Sequence, residues 1–121
     1  MSIKHARDVD SQVVKAGDKT FIQVLISSQE GPNFALRRFV IQPGGGMPSH
    51  TNTVEHEQYI LSGHARIGIG EKTFVISSGD VVFIPEGIPH WYKNGGEEDF
   101  VFLCAIPNKE DRITLLEKVP C

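Results

Sequence analysis

The chain has 121 residues, 15 acidic against 12 basic, and a net charge of −3. That length fits one domain with its own core, and 40% hydrophobic with 22% charged residues excludes both a disordered and a membrane-spanning chain. The absence of a basic stripe excludes nucleic acid as the main partner. The start, Met1-Ser2-Ile3-Lys4-His5, lacks the apolar core of a signal peptide, which predicts a cytoplasmic protein.

Helical periodicity is nearly absent. Short apolar runs broken by Gly, Pro, Asn and Asp predict an all-β sandwich or barrel. Residues 1–11 read as an arm, Phe21 to Ile26 as a strand, and Glu30-Gly31-Pro32-Asn33 as a turn into a longer strand, Phe34 to Gln42. Pro43-Gly44-Gly45-Gly46 reads as a loop, because glycines have no side chains to pack and unusual backbone freedom. Glu55 to Leu61 is the next strand, turned by Ser62-Gly63. Ala65 to Ile69 and Thr73 to Ile76 predict a hairpin around Gly70-Glu71-Lys72. After the Ser77-Ser78-Gly79-Asp80 turn, Val81 to Ile84 is uniformly apolar and predicts a strand buried on both faces. Pro85 to Pro89 is a loop, His90 to Lys93 a short strand, and Phe100 to Ile106 a core strand. Thr114 to Lys118 reads as an edge strand, or Asp111 to Glu117 as a helical turn; the pattern leaves both open. Residues 1–30 thus carry an arm and first strands, 31–107 the core, and 108–121 a tail of the same domain.

The chemistry concentrates in two stretches, His50 to Glu57 and Gly79 to Asn94. Side chains two apart in a strand share a face. His50 and Asn52 are two apart and His56 has their parity, so an extended backbone projects all three inward. Imidazole is the commonest metal ligand among side chains, and the grouping points to a metal held in a small barrel. By the same parity Arg37, Phe39 and Ile41 share a face, Tyr92 goes with His90, Gln58 and Ile60 with His56, and Phe102 with Cys104 and Ile106. Arg37 is open to two readings, an anion-binding group or a salt-bridge residue at the core edge. Glu55 and Glu57 are expected to face away, and His5 and His64 to be structural or exposed. Two cysteines make no disulfide framework; Cys104 reads as a buried thiol and Cys121 as part of a loose terminus.

These residues also carry a resemblance. The chain resembles a cupin, a small single-domain β-barrel. The first cupin motif, Gly-x5-His-x-His-x3-Glu-x6-Gly, is met at Gly44, His50 and Gly63, and departed from at Asn52 and His56, which hold its second His and its Glu positions. The second, Gly-x5-Pro-x-Gly-x2-His-x3-Asn, is met throughout by Gly79, Pro85, Gly87, His90 and Asn94. Histidine at the usual Glu position resembles a branch of manganese-type cupins whose metal sits among four histidines. The resemblance implies a single cupin barrel, an antiparallel jelly roll of two sheets. It implies His50, His56 and His90 as ligands, with Asn52, in place of a fourth histidine, as a weak ligand or a neighbour of the ligands. It further implies a homodimer, with Ile3, Val9, Tyr59 and Leu61 otherwise exposed apolar surface.

A three-histidine site has an open position, as catalysis requires. The cofactor expected is one divalent transition metal, Mn, Fe, Cu, Ni or Zn. The leading expectation is oxygenase-type oxidation of a small-molecule substrate. Arg37 and Tyr92 are the candidate catalytic groups, and Phe39, Ile41, Gln58, Phe102 and Cys104 the candidate substrate pocket. Metal-dependent isomerisation or decarboxylation is the close variant, and a non-catalytic metal- or small-molecule-binding module the alternative from another class.

Overall fold

The computed structural model of the protein describes residues 1–116. After a single 3-10 turn at Ala6–Asp8 come ten strands: β1 Gln12–Val13, β2 Asp18–Ile26, β3 Phe34–Thr51, β4 His56–Ser62, β5 His64–Ile69, β6 Lys72–Ser77, β7 Val81–Ile84, β8 His90–Lys93, β9 Phe100–Pro107 and β10 Thr114–Leu115. All the pairings are antiparallel.

β3 organises the fold. Its first half, from Phe34 to Ile41, lies between β2 and β9, and β4 and β7 extend that sheet beyond β9. Its second half, from Gly46 to Thr51, pairs with β8 and β10, and β5 and β6 extend the other sheet beyond β8. One strand therefore crosses from sheet to sheet, as a closed jelly roll requires. The core between the sheets includes Ile41, Ile60, Ile67, Ile84, Phe100 and Phe102, each no more than 1% exposed.

Two expectations are corrected here, and a choice left open is resolved in part. Pro43 to Gly46 is not a loop but the middle of β3. Gly44 has φ +83°, which a side chain would disfavour, and a Cβ on Gly46 would run into the Tyr92 carbonyl. The glycines serve a bend and a close approach inside a strand. Val81 to Ile84 is not buried on both faces; Val81 is 76% and Phe83 55% exposed, with Val82 and Ile84 inward. Tyr59 pairs with Val81 and Glu57 with Phe83, so these side chains share the outer face of β4 and β7. The choice left open near the C-terminus resolves in part: Thr114–Leu115 is an edge strand, paired with Thr51 and His50. Residues 117–121, including Lys118 and Cys121, lie outside the described residues.

Among the described residues no helix is long and apolar enough to cross a membrane. Asn94, the last residue of the second motif, is structural. Fully buried, it donates from Nδ2 to the Ile41 and Glu98 carbonyls, both at 2.8 Å, and accepts from the Gly96 amide at 3.0 Å.

Candidate metal site and cavity

Register brings the predicted residues together. His50 on β3 pairs directly with His90 on β8. Arg37 on β3 lies opposite Cys104 on β9, which lies opposite Gln58 on β4. The next row inward is Phe39, Phe102 and Ile60. Strand alternation then turns these rows into the barrel, where His50, Asn52, His56, Gln58, His90 and Tyr92 line one cavity of about 230 Å³. Arg37, Phe39 and Phe102 line it too. Ile41 does not: parity places it on the correct face, but it packs in the core below the cavity. Cys104 also stands behind the lining, fully buried.

The histidines are set as neutral bases. His50 Nδ1 lies 2.8 Å from the Pro48 carbonyl and His90 Nδ1 3.0 Å from the Ile88 carbonyl. A carbonyl only accepts, so each Nδ1 carries the proton, and each neutral ring keeps its lone pair on Nε2. His56 has Nδ1 3.3 Å from the Cys104 sulfur, and its Nε2 is buried with no partner. Burial lowers all three imidazole pKa values. His56 falls to about 3, through burial and then the Arg37 guanidinium and the other two rings. His90 falls to about 4 through burial and His50, against the pull of the Ile88 carbonyl and Asp111. His50 is lowered by burial, opposed by the Pro48 carbonyl and Asp111.

The wall beyond the histidines is aromatic. Phe102 stacks between Phe39, at 5.0 Å, and Tyr92, at 5.3 Å, with both pairs within 13° of parallel. Arg37 lies over the Phe39 ring with Cζ 5.1 Å from its centroid, and its Nη2 reaches the Cys104 sulfur at 3.4 Å. Among the described residues the ion pairs are Lys4–Glu30, Lys109–Glu86 and Arg112–Glu110, so Arg37 has no carboxylate partner and its buried Nε has no acceptor. The salt-bridge reading of Arg37 is therefore not what the fold provides. Gln58 Nε2 donates to the Tyr92 hydroxyl oxygen at 2.6 Å. Burial pushes the Tyr92 pKa well above its usual value, so the phenol keeps its proton and is a donor, not a base.

The donor set fits a transition ion. Imidazole nitrogens sit about 2.0–2.1 Å from such an ion, which separates ring centroids on a shared ion by about 4.5–5.5 Å. The His56–His90 separation, 5.5 Å, lies within that range, and the His50–His90 separation, 4.2 Å, falls short of it. Two buried polar atoms beside the rings, His56 Nε2 and Asn52 Oδ1, have no partner, as atoms awaiting a cation would. Among the described residues no three His, Cys, Asp or Glu side chains are already gathered as a metal cluster. An ion here thus calls for slight ring adjustment and for the Asn52 amide, a donor outside those four types.

The remaining predicted residues fall as expected: Glu57 and His64 are exposed and away from the cavity. The cavity also takes in Val14, Ile22, Met47, Ile113 and Leu115, which sequence reasoning missed. Ile22 pairs with Phe39 and Met47 with Tyr92, so cross-strand pairing was the signal for those two.

The match to known proteins follows the same residues. The family model Cupin_2 (Cupin domain) matches residues 37–106, from the arginine over Phe39 to the end of the core strand. The chain belongs to the cupin family. Among solved structures, this cupin superposes on the polyketide cyclase RemF from Streptomyces resistomycificus with a TM-score of 0.89 and 28% identity, over 97% of this chain and 86% of that one. Among curated relatives it is 30% identical over 93 residues to oxalate decarboxylase OxdC of Bacillus subtilis, covering 72% of this chain and 24% of the relative. It is 28% identical over 101 residues to acireductone dioxygenase 1 of Nocardia farcinica, covering 78% of this chain and 51% of the relative. The chain therefore spans about half or less of these curated relatives.

The imidazole shifts set an acid limit. A base whose folded pKa lies below its ordinary 6.5 stabilises the fold fully above that pH and loses the contribution as pH falls toward the folded value. The metal-free cupin is expected to lose stability as pH falls below ~6.5, with a slope per such histidine that rises toward its limit of about 1.4 kcal/mol per pH unit near pH ~5. Glu57, raised by partial burial and by Glu55, works in the opposite sense. Urea unfolding at several pH values in EDTA checks this; a flat profile would show the rings to be solvated.

Proposed function

We propose that this cupin is a metal-dependent enzyme acting on a small organic molecule with a planar, apolar body and an acidic or enolisable oxygen group. The observation that carries the reading is the pairing, across one cavity, of three buried neutral imidazoles with a stacked aromatic wall. His50, His56 and His90 would hold one divalent ion, with the Asn52 oxygen as a weaker fourth donor. Such an ion supplies Lewis-acid charge, and a redox-active one also supplies electrons for oxygen chemistry.

The protein's own groups do the rest. The stacked rings of Phe39, Phe102 and Tyr92 line the cavity together, and a planar apolar body packs against the edges of that wall. Arg37, without an internal carboxylate, takes an anionic oxygen and stabilises charge developing on it. Tyr92, held by Gln58 and kept protonated by burial, donates a hydrogen bond to a substrate oxygen. Gln58 Oε1, buried and without a partner, accepts from a substrate hydroxyl. A fixed hydrogen-bond donor and an anion site on one cavity suit enolate-type chemistry: cyclisation, isomerisation or decarboxylation. The near full-length likeness to a polyketide cyclase and the partial likeness to an oxalate decarboxylase support this order of preference.

Oxygenase-type oxidation is the second reading, favoured by the likeness to acireductone dioxygenase over 78% of the chain. One experiment separates the two. Protein purified without a histidine tag is loaded in turn with Mn, Fe, Ni, Cu and Zn and offered enolisable keto acids and hydroxylated aromatic ketones in deuterated water. Exchange of the α-hydrogens without oxygen uptake supports the first reading. Oxygen consumption supports the second. Neither, with any metal bound, would sink the enzyme reading and leave a binding module.

A further inference from the structure

The C-terminal segment from Glu110 to Leu116 straps across the motif-1 loop. Asp111 is its anchor. Its carboxylate accepts from the Thr53 amide at 3.0 Å and from Asn52 Nδ2 at 3.1 Å. The Thr53 hydroxyl donates to the Glu110 carbonyl at 3.1 Å and accepts from the Arg112 amide at 2.8 Å. Beyond it, Thr114 and Leu115 pair with Thr51 and His50, and the Leu116 amide donates to the Ser49 carbonyl at 2.8 Å. Ile113 and Leu115 line the mouth of the cavity.

The Asn52 contact has a directional consequence. An ionised carboxylate only accepts, so it selects the nitrogen branch of the amide; an amide turned over would set oxygen against oxygen. Asn52 is 5% exposed and lines the same cavity as the three imidazoles, and its Oδ1 is buried with no partner. With nitrogen fixed on Asp111, that oxygen is left on the cavity side.

We infer that Asp111 is a positioning residue: it holds the Asn52 amide with its oxygen toward the imidazoles, and so makes the C-terminal strap part of the metal site. The inference rests on the metal reading above. A neutral amide oxygen is a weaker donor than an imidazole and weaker still when the amide is free to turn, and the strap removes that freedom. Groups that orient ligands from behind in this way cost about 10–100-fold in metal affinity when removed.

The test titrates cobalt(II) into full-length wild type, Asp111→Ala, Asp111→Asn, Asn52→Ala, Asn52→His and the Asp111→Ala/Asn52→His pair. It reads affinity by chelator competition and the ligand field by visible absorption. Asp111→Ala is expected to weaken binding by about 10–100-fold and to shift the spectrum toward that of Asn52→Ala. Asp111→Asn, which keeps an oxygen acceptor for Nδ2, should recover most of both. With Asn52→His, where no amide needs orienting, the added Asp111→Ala change should alter affinity little. Wild-type affinity and spectrum in Asp111→Ala would overturn the inference alone. So would an equal loss in the Asn52→His background, which would mark Asp111 as a strap clamp only. Wild type that takes up no cobalt would overturn the metal reading and this inference with it.

Discussion

Replacing His56 with alanine is expected to abolish stoichiometric metal uptake while leaving the metal-free fold nearly as stable as wild type. Wild-type protein without a tag should carry about one equivalent of metal per chain. The variant should fall far below that, since a lost ligand removes more than the ~10–100-fold that a supporting group removes. The stability half of the expectation follows from the environment. His56 Nε2 is buried with no hydrogen-bond partner, and a buried unsatisfied polar atom costs about 1–3 kcal/mol. Alanine removes that penalty and leaves a void of opposite sign. The cavity is adjacent and the void opens into it, so the two effects offset in large part. Elemental analysis and urea unfolding in EDTA check both halves. A His56→Ala protein that retains the metal would mean that the three rings do not share an ion, and no metal in either protein after reloading would remove the enzyme reading altogether.

The same dissociation shows what kind of residue the sequence reveals. His50, His56, His90, Arg37, Phe39, Gln58, Tyr92 and Phe102 were placed on one surface by period-two parity and by the two cupin motifs, and the barrel brings them to one cavity. Parity works there because side-chain direction in a strand is a local property. It failed where the question was long-range. Ile41 has the parity of Arg37 and Phe39, but depth along the barrel, not direction, decides between cavity wall and core. Val81 to Ile84 is apolar at every position, which carries no information on facing. Its outward Val81 and Phe83 lie beside Tyr59 and Glu57 only because β7 pairs with β4. Pro43 to Gly46 has the composition of a loop, yet the crossing of β3 between sheets needs a bend at Gly44 and room for the Tyr92 carbonyl at Gly46. Asp111 was the least legible. It stands 59 residues from Asn52 in a tail with no decisive periodicity, and only the closed barrel sets its carboxylate on the amide.

Phe102→Ala should give the largest loss of stability at the site, about 3–5 kcal/mol. Phe102 is fully buried, stacked between Phe39 and Tyr92, with Phe100 a further 5.4 Å away. Domains of this size are stable by only about 5–15 kcal/mol, so the variant should unfold at much lower urea, with an unchanged slope if the denatured state is unaffected. Phe102→Leu, which retains most of the volume, should cost clearly less and remain folded for ligand work. Two roles then separate. If Phe102 is only core, Phe102→Leu binds planar ligands as wild type does. If its edge is part of the substrate wall, Phe102→Leu keeps its metal yet binds planar aromatic ligands more weakly, because an edge-to-face aromatic pair is worth about 0.5–1.5 kcal/mol beyond area burial. Phe102→Ala adds a second check, since the void it leaves is apolar and joins the cavity. A small dry aromatic such as benzene should restore part of the lost stability by filling it. No rescue, with an undiminished planar-ligand affinity in Phe102→Leu, would place the substrate on another wall of the barrel.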